Sequence, residues 1–235
     1  MEVSSGTIEA LRRSSSATLA TLLFKRGLRA AAMRGPRRLS GARAVMVGEA
    51  FTVRTIPSRE DIDQLAAFDG SERPQAKAFD SCPPGKVFVV DCRGEHFGAF
   101  GGAIFLSRLA ARGAAGMVSD GPVRDLAEVA QLELPVFAAG TSPPPSLVRH
   151  RVVDTDVPIA CGGVAVYPGD LVVGDADGVT VVPRHLAEEL AREALEQERY
   201  DRFALEQIRA GKPVFGTYPP DEATRARYEQ WLKRQ

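Results

Sequence analysis

The order of helical and strand-like segments predicts an α/β protein in which helices cover a mixed sheet. Helical patterns come first, strands and helices alternate between residues 87 and 137, and short strands follow before a long charged helix. Alternating strands and helices are typical of parallel strands, whereas consecutive strands separated by turn residues usually pair antiparallel. Both kinds of pairing are therefore expected in this fold.

The strands are recognised as apolar runs that end at Gly, Asp or Pro. The continuous apolar run at Val87–Asp91 predicts a buried strand. Gly48 separates two shorter runs, and the second half of the chain contains four more. The strands are expected at residues 44–47, 50–53, 87–91, 115–118, 134–137, 150–158, 161–166, 171–173 and 179–182.

The helices are recognised by apolar spacing and by capping residues. Ser16 or Thr18 would cap a second N-terminal helix after an interruption at residues 14–16. Gly113 closes an amphipathic helix, and Pro183 precedes a long charged helix. The helices are expected at residues 7–33 with that interruption, 61–68, 104–112, 123–131, 184–210 and around Trp231.

The composition is that of an ordinary globular protein. Thirty basic residues balance thirty acidic ones, so the net charge is zero and no overall excess of positive charge indicates nucleic-acid binding. No apolar run approaches the ~20 residues of a membrane span. Cys82, Cys92 and Cys161 are too widely spaced for a zinc motif and are expected to be reduced thiols. We expect one cytoplasmic domain over residues 1–235, without nucleic-acid or membrane partners.

The adjacent Arg124 and Asp125 are the most informative residues for function. The guanidinium of arginine can hold a carboxylate with two hydrogen bonds, and aspartate is a ligand for hard metal ions. Gly101 and Gly102 precede a helix whose first N–H groups attract anions. These features together suggest a site for a small acid on a metal ion.

Glu128 lies three residues after Asp125, so the two carboxylates share a face if residues 125–129 form a helical turn. The alternative is a purely structural pair that the dipole of that helix stabilises. No lysine lies within an apolar strand, where its pKa would be lowered for imine chemistry. If the protein is a carbon–carbon lyase, a metal-dependent reaction is therefore favoured.

Three segments resemble a known family. They are DGPVRDLAEV at residues 120–129, VYPGDLVVGDADGVTVVP at 166–183 and GARAVMVGEAFTV at 41–53. They are similar to 4-hydroxy-4-methyl-2-oxoglutarate aldolases and to the related regulator of ribonuclease E activity A. The resemblance covers about residues 15–210, and residues 211–235 are expected to form a tail that packs on this core or on a neighbouring subunit.

The resemblance implies an α-β-β-α sandwich of the swivelling β/β/α kind, with a mixed sheet and a long C-terminal helix, assembled as a homotrimer or hexamer. It also implies that Arg124 binds the pyruvyl carboxylate and stabilises the enolate, and that Asp125 positions Mg²⁺ or Mn²⁺. The start of the preceding helix, with Gly102, Ile104 and Phe105, is implied to bind the pyruvyl part of the substrate.

The chain departs from the family at Ala103, where the resemblance implies Asp or Gly and where an Asp would help to hold metal-bound water. Glu128 is expected to assist Asp125 at the metal. Glu198 on the C-terminal helix is the candidate for the catalytic acid that a neighbouring subunit supplies in the aldolases.

Two functions follow from these expectations. The first is a metal-dependent lyase that cleaves a 4-hydroxy-2-oxo acid to pyruvate and a carbonyl product and also decarboxylates oxaloacetate. The second is a non-catalytic regulator that binds and inhibits a ribonuclease. A methyltransferase is disfavoured because the sequence lacks a glycine-rich nucleotide loop with a downstream acid.

Overall fold

The computed structural model describes residues 3–41, 45–64 and 73–234. Its helices are α1 (Ser5–Arg12), α2 (Ser16–Lys25), α3 (Pro74–Ser81), α4 (Ala103–Ala111), α5 (Leu126–Val129), α6 (Ala187–Arg209) and α7 (Glu222–Leu232), with short 3-10 helices at Ser146–Val148 and Arg184–Leu186. No helix within these described residues is long and apolar enough to cross a membrane.

The strands form one large mixed sheet and a separate hairpin. They are β1 (Arg37–Arg38), β2 (Met46–Pro57), β3 (Val87–Asp91), β4 (Gly116–Ser119), β5 (Val136–Ala138), β6 (His150–Thr155), β7 (Ile159–Cys161), β8 (Val164–Val166), β9 (Leu171–Gly174) and β10 (Val179–Val182). The order in the sheet is β1-β5-β4-β3-β2-β9-β10, and β6 also pairs with β2. Strands β7 and β8 form the hairpin.

The long strand β2 joins the parallel and antiparallel parts of the sheet. It pairs parallel with β3, which continues parallel to β4 and β5. It pairs antiparallel with β9 along its first residues and with β6 along its last. The carboxyl ends of β3 and β4 therefore lie at one edge of the sheet, where ligand sites of α/β proteins commonly form.

The layers follow from the residues on the two faces of the sheet. Phe88 and Val90 of β3 pack with the apolar cluster that includes Phe79 of α3 and Leu106 of α4. Val87 and Val89 face a second cluster, which includes the β7–β8 hairpin. A third cluster joins α1, α2 and α6 to β9 and the start of β2. The predicted α-β-β-α sandwich with a mixed sheet and a long C-terminal helix is confirmed.

Several predicted element boundaries were wrong. Residues 26–33 are not helical, because the chain turns at Gly27 in a left-handed conformation and Ala32 bridges to Thr180. The two strands around Gly48 are one strand. Ser15 caps α2 with its hydroxyl, in place of Ser16 or Thr18.

The helix expected at residues 61–68 falls partly outside the described residues, and α3 begins only at Pro74. The helix expected at residues 123–131 is a single turn, α5. The single-domain organisation over residues 1–235 stays a prediction.

Candidate functional site

The Arg124–Asp125 turn is held between two loops. The backbone N–H of Arg124 donates to the carbonyl of Gly101 at 3.0 Å. Val123 forms parallel bridges with both Gly101 and Thr141. Asp125 has a left-handed backbone, with φ 59° and ψ 46°, so it precedes α5 and does not belong to its first turn. The turn is therefore shaped by tertiary contacts more than by the short helix that follows it.

The Asp125 carboxylate contacts a helix other than its own. Its Oδ2 accepts a hydrogen bond at 3.1 Å from the backbone N–H of Ala103, the first residue of α4. Arg124 Nε lies 3.6 Å from the same oxygen, and the two side chains are 43% and 39% exposed. Oδ1 accepts no hydrogen bond from the described residues. The pair therefore presents one guanidinium and one carboxylate oxygen to solvent at the amino end of α4.

Gly102 allows this close approach. A Cβ atom on Gly102 would lie 2.8 Å from Cγ of Arg124 and closer still to Oδ2 of Asp125. Its φ of −140° and ψ of −168° are extended and open to any residue. Glycine is therefore needed here for space and not for backbone conformation.

The first amides of α4 point their N–H groups away from the helix body. The first intrahelical bond is donated by Leu106 to the carbonyl of Gly102. The preceding amides of Ile104 and Phe105 have no intrahelical acceptor, as expected at a helix start. With the N–H of Ala103 already given to Asp125, these two amides remain for an anion.

A cleft of about 340 Å³ contains these groups. It is lined by Arg73, Gln75, Ala99, Phe100, Gly101, Gly102, Ile104, Phe105, Arg124, Asp125, Pro145, Ser146 and Leu147. The residues expected to bind the substrate, Gly102, Ile104, Phe105 and Arg124, thus lie together with Asp125. Ile104 is 84% exposed, whereas Phe105 stacks on Phe79 with ring centroids 4.7 Å apart. The floor of the cleft is therefore apolar and fixed.

Glu128 and Glu198 do not line this cleft in the single chain. Glu128 is exposed on α5. Glu198 lies on α6, where its Oε1 accepts a hydrogen bond at 2.8 Å from the N–H of Ser15 at the start of α2. No group of three or more His, Cys, Asp or Glu suited to a metal occurs among the residues that the structure describes. The roles expected for these two glutamates stay predictions.

The Asp120 carboxylate, at the end of β4, is buried and accepts three backbone hydrogen bonds. Its Oδ1 accepts from the N–H of Cys92 at 2.6 Å, and its Oδ2 accepts from Gly94 and Gly162 at 3.2 and 3.3 Å. Burial raises the pKa of the Asp120 carboxyl, although these backbone donors oppose the shift. Asp120 therefore connects β4 to two neighbouring loops, and the Asp120–Gly121 turn serves packing.

Gln75 and Ser146 are cleft residues that the sequence analysis missed. Gln75 follows Pro74 at the start of α3, and its Nε2 donates to the carbonyl of Phe100. Ser146 follows three consecutive prolines and begins a 3-10 helix. The proline run and Pro74 marked a rigid segment and a helix start, but neither signal indicated which surface the residues would face.

Comparison with known proteins identifies relatives on both branches of one family. A "putative 4-hydroxy-4-methyl-2-oxoglutarate aldolase" of Halalkalibacterium halodurans is 39% identical over 125 residues, which are 53% of this chain and 59% of that protein. The match to this relative thus spans less than two thirds of its length. A protein of the same name from Xanthomonas campestris pv. campestris is 33% identical over 151 residues, 64% of this chain and 82% of the relative.

A solved structure is similar over most of its length. Streptomyces coelicolor RraAS2, described as an unusual member of the RNase ES inhibitor RraA protein family, has a TM-score of 0.76 and 33% identity. The similarity covers 87% of this chain and 98% of that one. The RraA-like family model, Aldolase/RraA, matches residues 16–181. Because this match covers well over half of the sequence, the chain belongs to the aldolase/RraA family.

Proposed function

We propose that this protein is a divalent-metal-dependent lyase. It cleaves a 4-hydroxy-2-oxo acid to pyruvate and a second carbonyl product, and it decarboxylates oxaloacetate. The observation that supports this proposal is the convergence, in one cleft, of the Arg124 guanidinium, the amides of Ile104 and Phe105, and the Asp125 carboxylate. A cation and free amides suit the carboxylate end of a 2-oxo acid.

The donor set fits a magnesium or manganese ion that keeps most of its water. Magnesium in proteins is usually held by one or two carboxylates together with water and substrate oxygens. Asp125 Oδ1 is the carboxylate oxygen in the cleft without a hydrogen-bond donor among the described residues. When bound beside Asp125, such an ion would polarise the 2-oxo group of the substrate.

The residues of the chain would then perform the following roles. Arg124 and the amides of Ile104 and Phe105 bind and orient the pyruvyl carboxylate. Cleavage breaks the C3–C4 bond after the C4 hydroxyl loses its proton, and the electron pair of that bond passes into the pyruvate enolate. The Arg124 guanidinium stabilises the negative charge of the enolate, and preorganised donors of this kind commonly make the greatest single contribution to catalysis.

The acid that exchanges protons is proposed to come from a neighbouring subunit of a homotrimer or hexamer. Glu198 is our candidate for that residue, and Glu128 is our candidate for a group that supports the metal from outside the cleft.

The three free cysteines are buried, which is in keeping with the proposed cytoplasmic location.

The test is release of pyruvate by the purified full-length protein from a 4-hydroxy-2-oxo diacid, followed through reduction of pyruvate by a coupling dehydrogenase. We expect turnover with Mg²⁺ or Mn²⁺ and loss of turnover in excess chelator, restored by adding metal back. Equal rates in chelator would refute the metal dependence. Absence of turnover with either metal, together with no binding of oxalate as an enolate mimic, would refute the lyase.

The second candidate function is a regulator that binds and inhibits a ribonuclease. Ala103 favours it, because this position lacks the acid that would hold metal-bound water. The similarity to RraAS2 over nearly all of that protein's length favours it too. The test is ribonuclease activity with increasing amounts of this protein. A saturable decrease in ribonuclease activity that does not depend on metal would support regulation, and no decrease would exclude it for that ribonuclease.

A further inference from the structure

The 3-10 helix at Ser146–Val148 forms one wall of the Arg124–Asp125 cleft. Ser146 begins this helix, lines the cleft and is 6% exposed. Ser146 also shares a smaller adjoining crevice with Gln75. The start of α3 and the 3-10 helix therefore meet beside the cleft and bring two neutral polar side chains to it.

The hydroxyl of Ser146 makes no hydrogen bond with any part of the described chain. Other buried serines do: Ser40 donates to the carbonyl of Leu134, and Ser119 accepts from the N–H of Gly121. The described buried polar atoms without a partner are Oγ of Ser58 and Nε of Arg227, so the Ser146 oxygen is reached by solvent in the cleft. A ligand that fills the cleft would displace that water and can take its place as hydrogen-bond partner.

The position of Ser146 is fixed by its neighbours. Pro143, Pro144 and Pro145 precede it and restrict the backbone. The carbonyl of Pro144 accepts from the N–H of Ala99 at 2.9 Å, two residues before Gly101. The carbonyl of Ser146 accepts from the N–H of Arg149 at 3.0 Å. The backbone that carries the hydroxyl is thus held in register with the loop that contains the glycine pair, so binding a ligand orders only the side chain of Ser146.

We infer that Ser146 determines substrate specificity by binding the C4 hydroxyl of a 4-hydroxy-2-oxo acid. The inference rests on the proposed lyase function, which assigns the pyruvyl end of the substrate to Arg124 and the α4 amides. The C4 end must then extend along the cleft, where Ser146 offers a hydroxyl that no described group of the protein uses. A site that pairs with a substrate hydroxyl discriminates strongly against analogues that lack it, because its own polar group stays unpaired.

The test is Ser146→Ala in the full-length protein, compared with Ser107→Ala. Ser107 is an exposed serine on α4 that does not line the cleft. For Ser146→Ala we expect kcat/KM for the 4-hydroxy-2-oxo acid to fall about tenfold, the effect of one lost hydrogen bond. We expect oxaloacetate decarboxylation and inhibition by oxalate to stay unchanged, since neither ligand has a C4 hydroxyl. Ser107→Ala should match the wild type on every ligand.

Different results would refute the role of Ser146 and the lyase function. If the wild type neither turns over a 4-hydroxy-2-oxo acid nor binds oxalate, the lyase proposal fails and the role of Ser146 fails with it. If the wild type is active and Ser146→Ala is equally active on the hydroxy acid, the specificity role alone is wrong. An equal loss on the hydroxy acid, on oxaloacetate and in oxalate affinity would indicate a structural role and would also overturn the inference.

Discussion

Substitution of Gly102 by alanine should disable the site while leaving the fold in place. The new Cβ atom would lie 2.8 Å from Cγ of Arg124, whereas ordinary carbon contacts begin at about 3.5 Å. The overlap with Oδ2 of Asp125 is greater still. Both side chains must therefore move away from the amino end of α4.

The expected losses of stability and turnover in Gly102→Ala depend on which atoms can move away from the new Cβ atom. The backbone at Gly102 is extended, so alanine adds no conformational strain, and the residues it meets are half-exposed side chains. The free energy of unfolding should fall by about 1 kcal/mol, the lower end of the usual cost of overpacking. A displacement of about 1 Å in a catalytic group can cost roughly 100-fold in rate, so turnover should fall by that order.

The assay compares pyruvate release and melting temperature for Gly102→Ala and for Gly6→Ala. A Cβ atom on Gly6 of α1 would lie 3.7 Å from Oγ of Ser4, which is an ordinary contact. Gly6→Ala should therefore keep wild-type turnover and melt at no lower a temperature. Turnover near the wild-type level in Gly102→Ala would refute the reasoning. A large fall in its melting temperature would show that the glycine serves the fold and not the site.

Three further predictions concern charge and protonation. Arg124→Lys keeps the positive charge but loses the planar guanidinium, which can donate two parallel hydrogen bonds to a carboxylate. The substitution should cost about 2–4 kcal/mol of transition-state stabilisation, measured as kcat/KM. Asp125→Asn should weaken Mg²⁺ affinity together with turnover, and unchanged metal affinity by calorimetry would contradict the proposed metal site. Burial lowers the pKa of His150, whose Nε2–H donates to the carbonyl of Gly98. The unfolded chain therefore binds the proton more readily than the folded chain, so the free energy of unfolding should fall as the pH drops below 6.5, the ordinary pKa of histidine. The free energy of unfolding of His150→Gln, measured with denaturant, should not show this dependence on pH.

The sequence by itself determined the elements whose signal is local. The apolar run of β3 predicted burial on both faces, because alternate side chains point to opposite sides of a strand. The charged helix after Pro183 and the amphipathic helix closed by Gly113 are present near the expected bounds. The Arg124–Asp125 pair and the glycine turn were also apparent, since adjacency and glycine are visible in a single sequence.

Only the tertiary structure decided which of these groups meet. Asp125 caps α4, a helix that begins 22 residues earlier in the chain, and this contact depends on the parallel register of β3 and β4. Gln75 and Ser146 reach the same cleft from segments separated by about 70 residues. Helix and strand propensities depend on neighbours a few residues away, whereas these contacts depend on how distant strands align, so no local pattern could specify them.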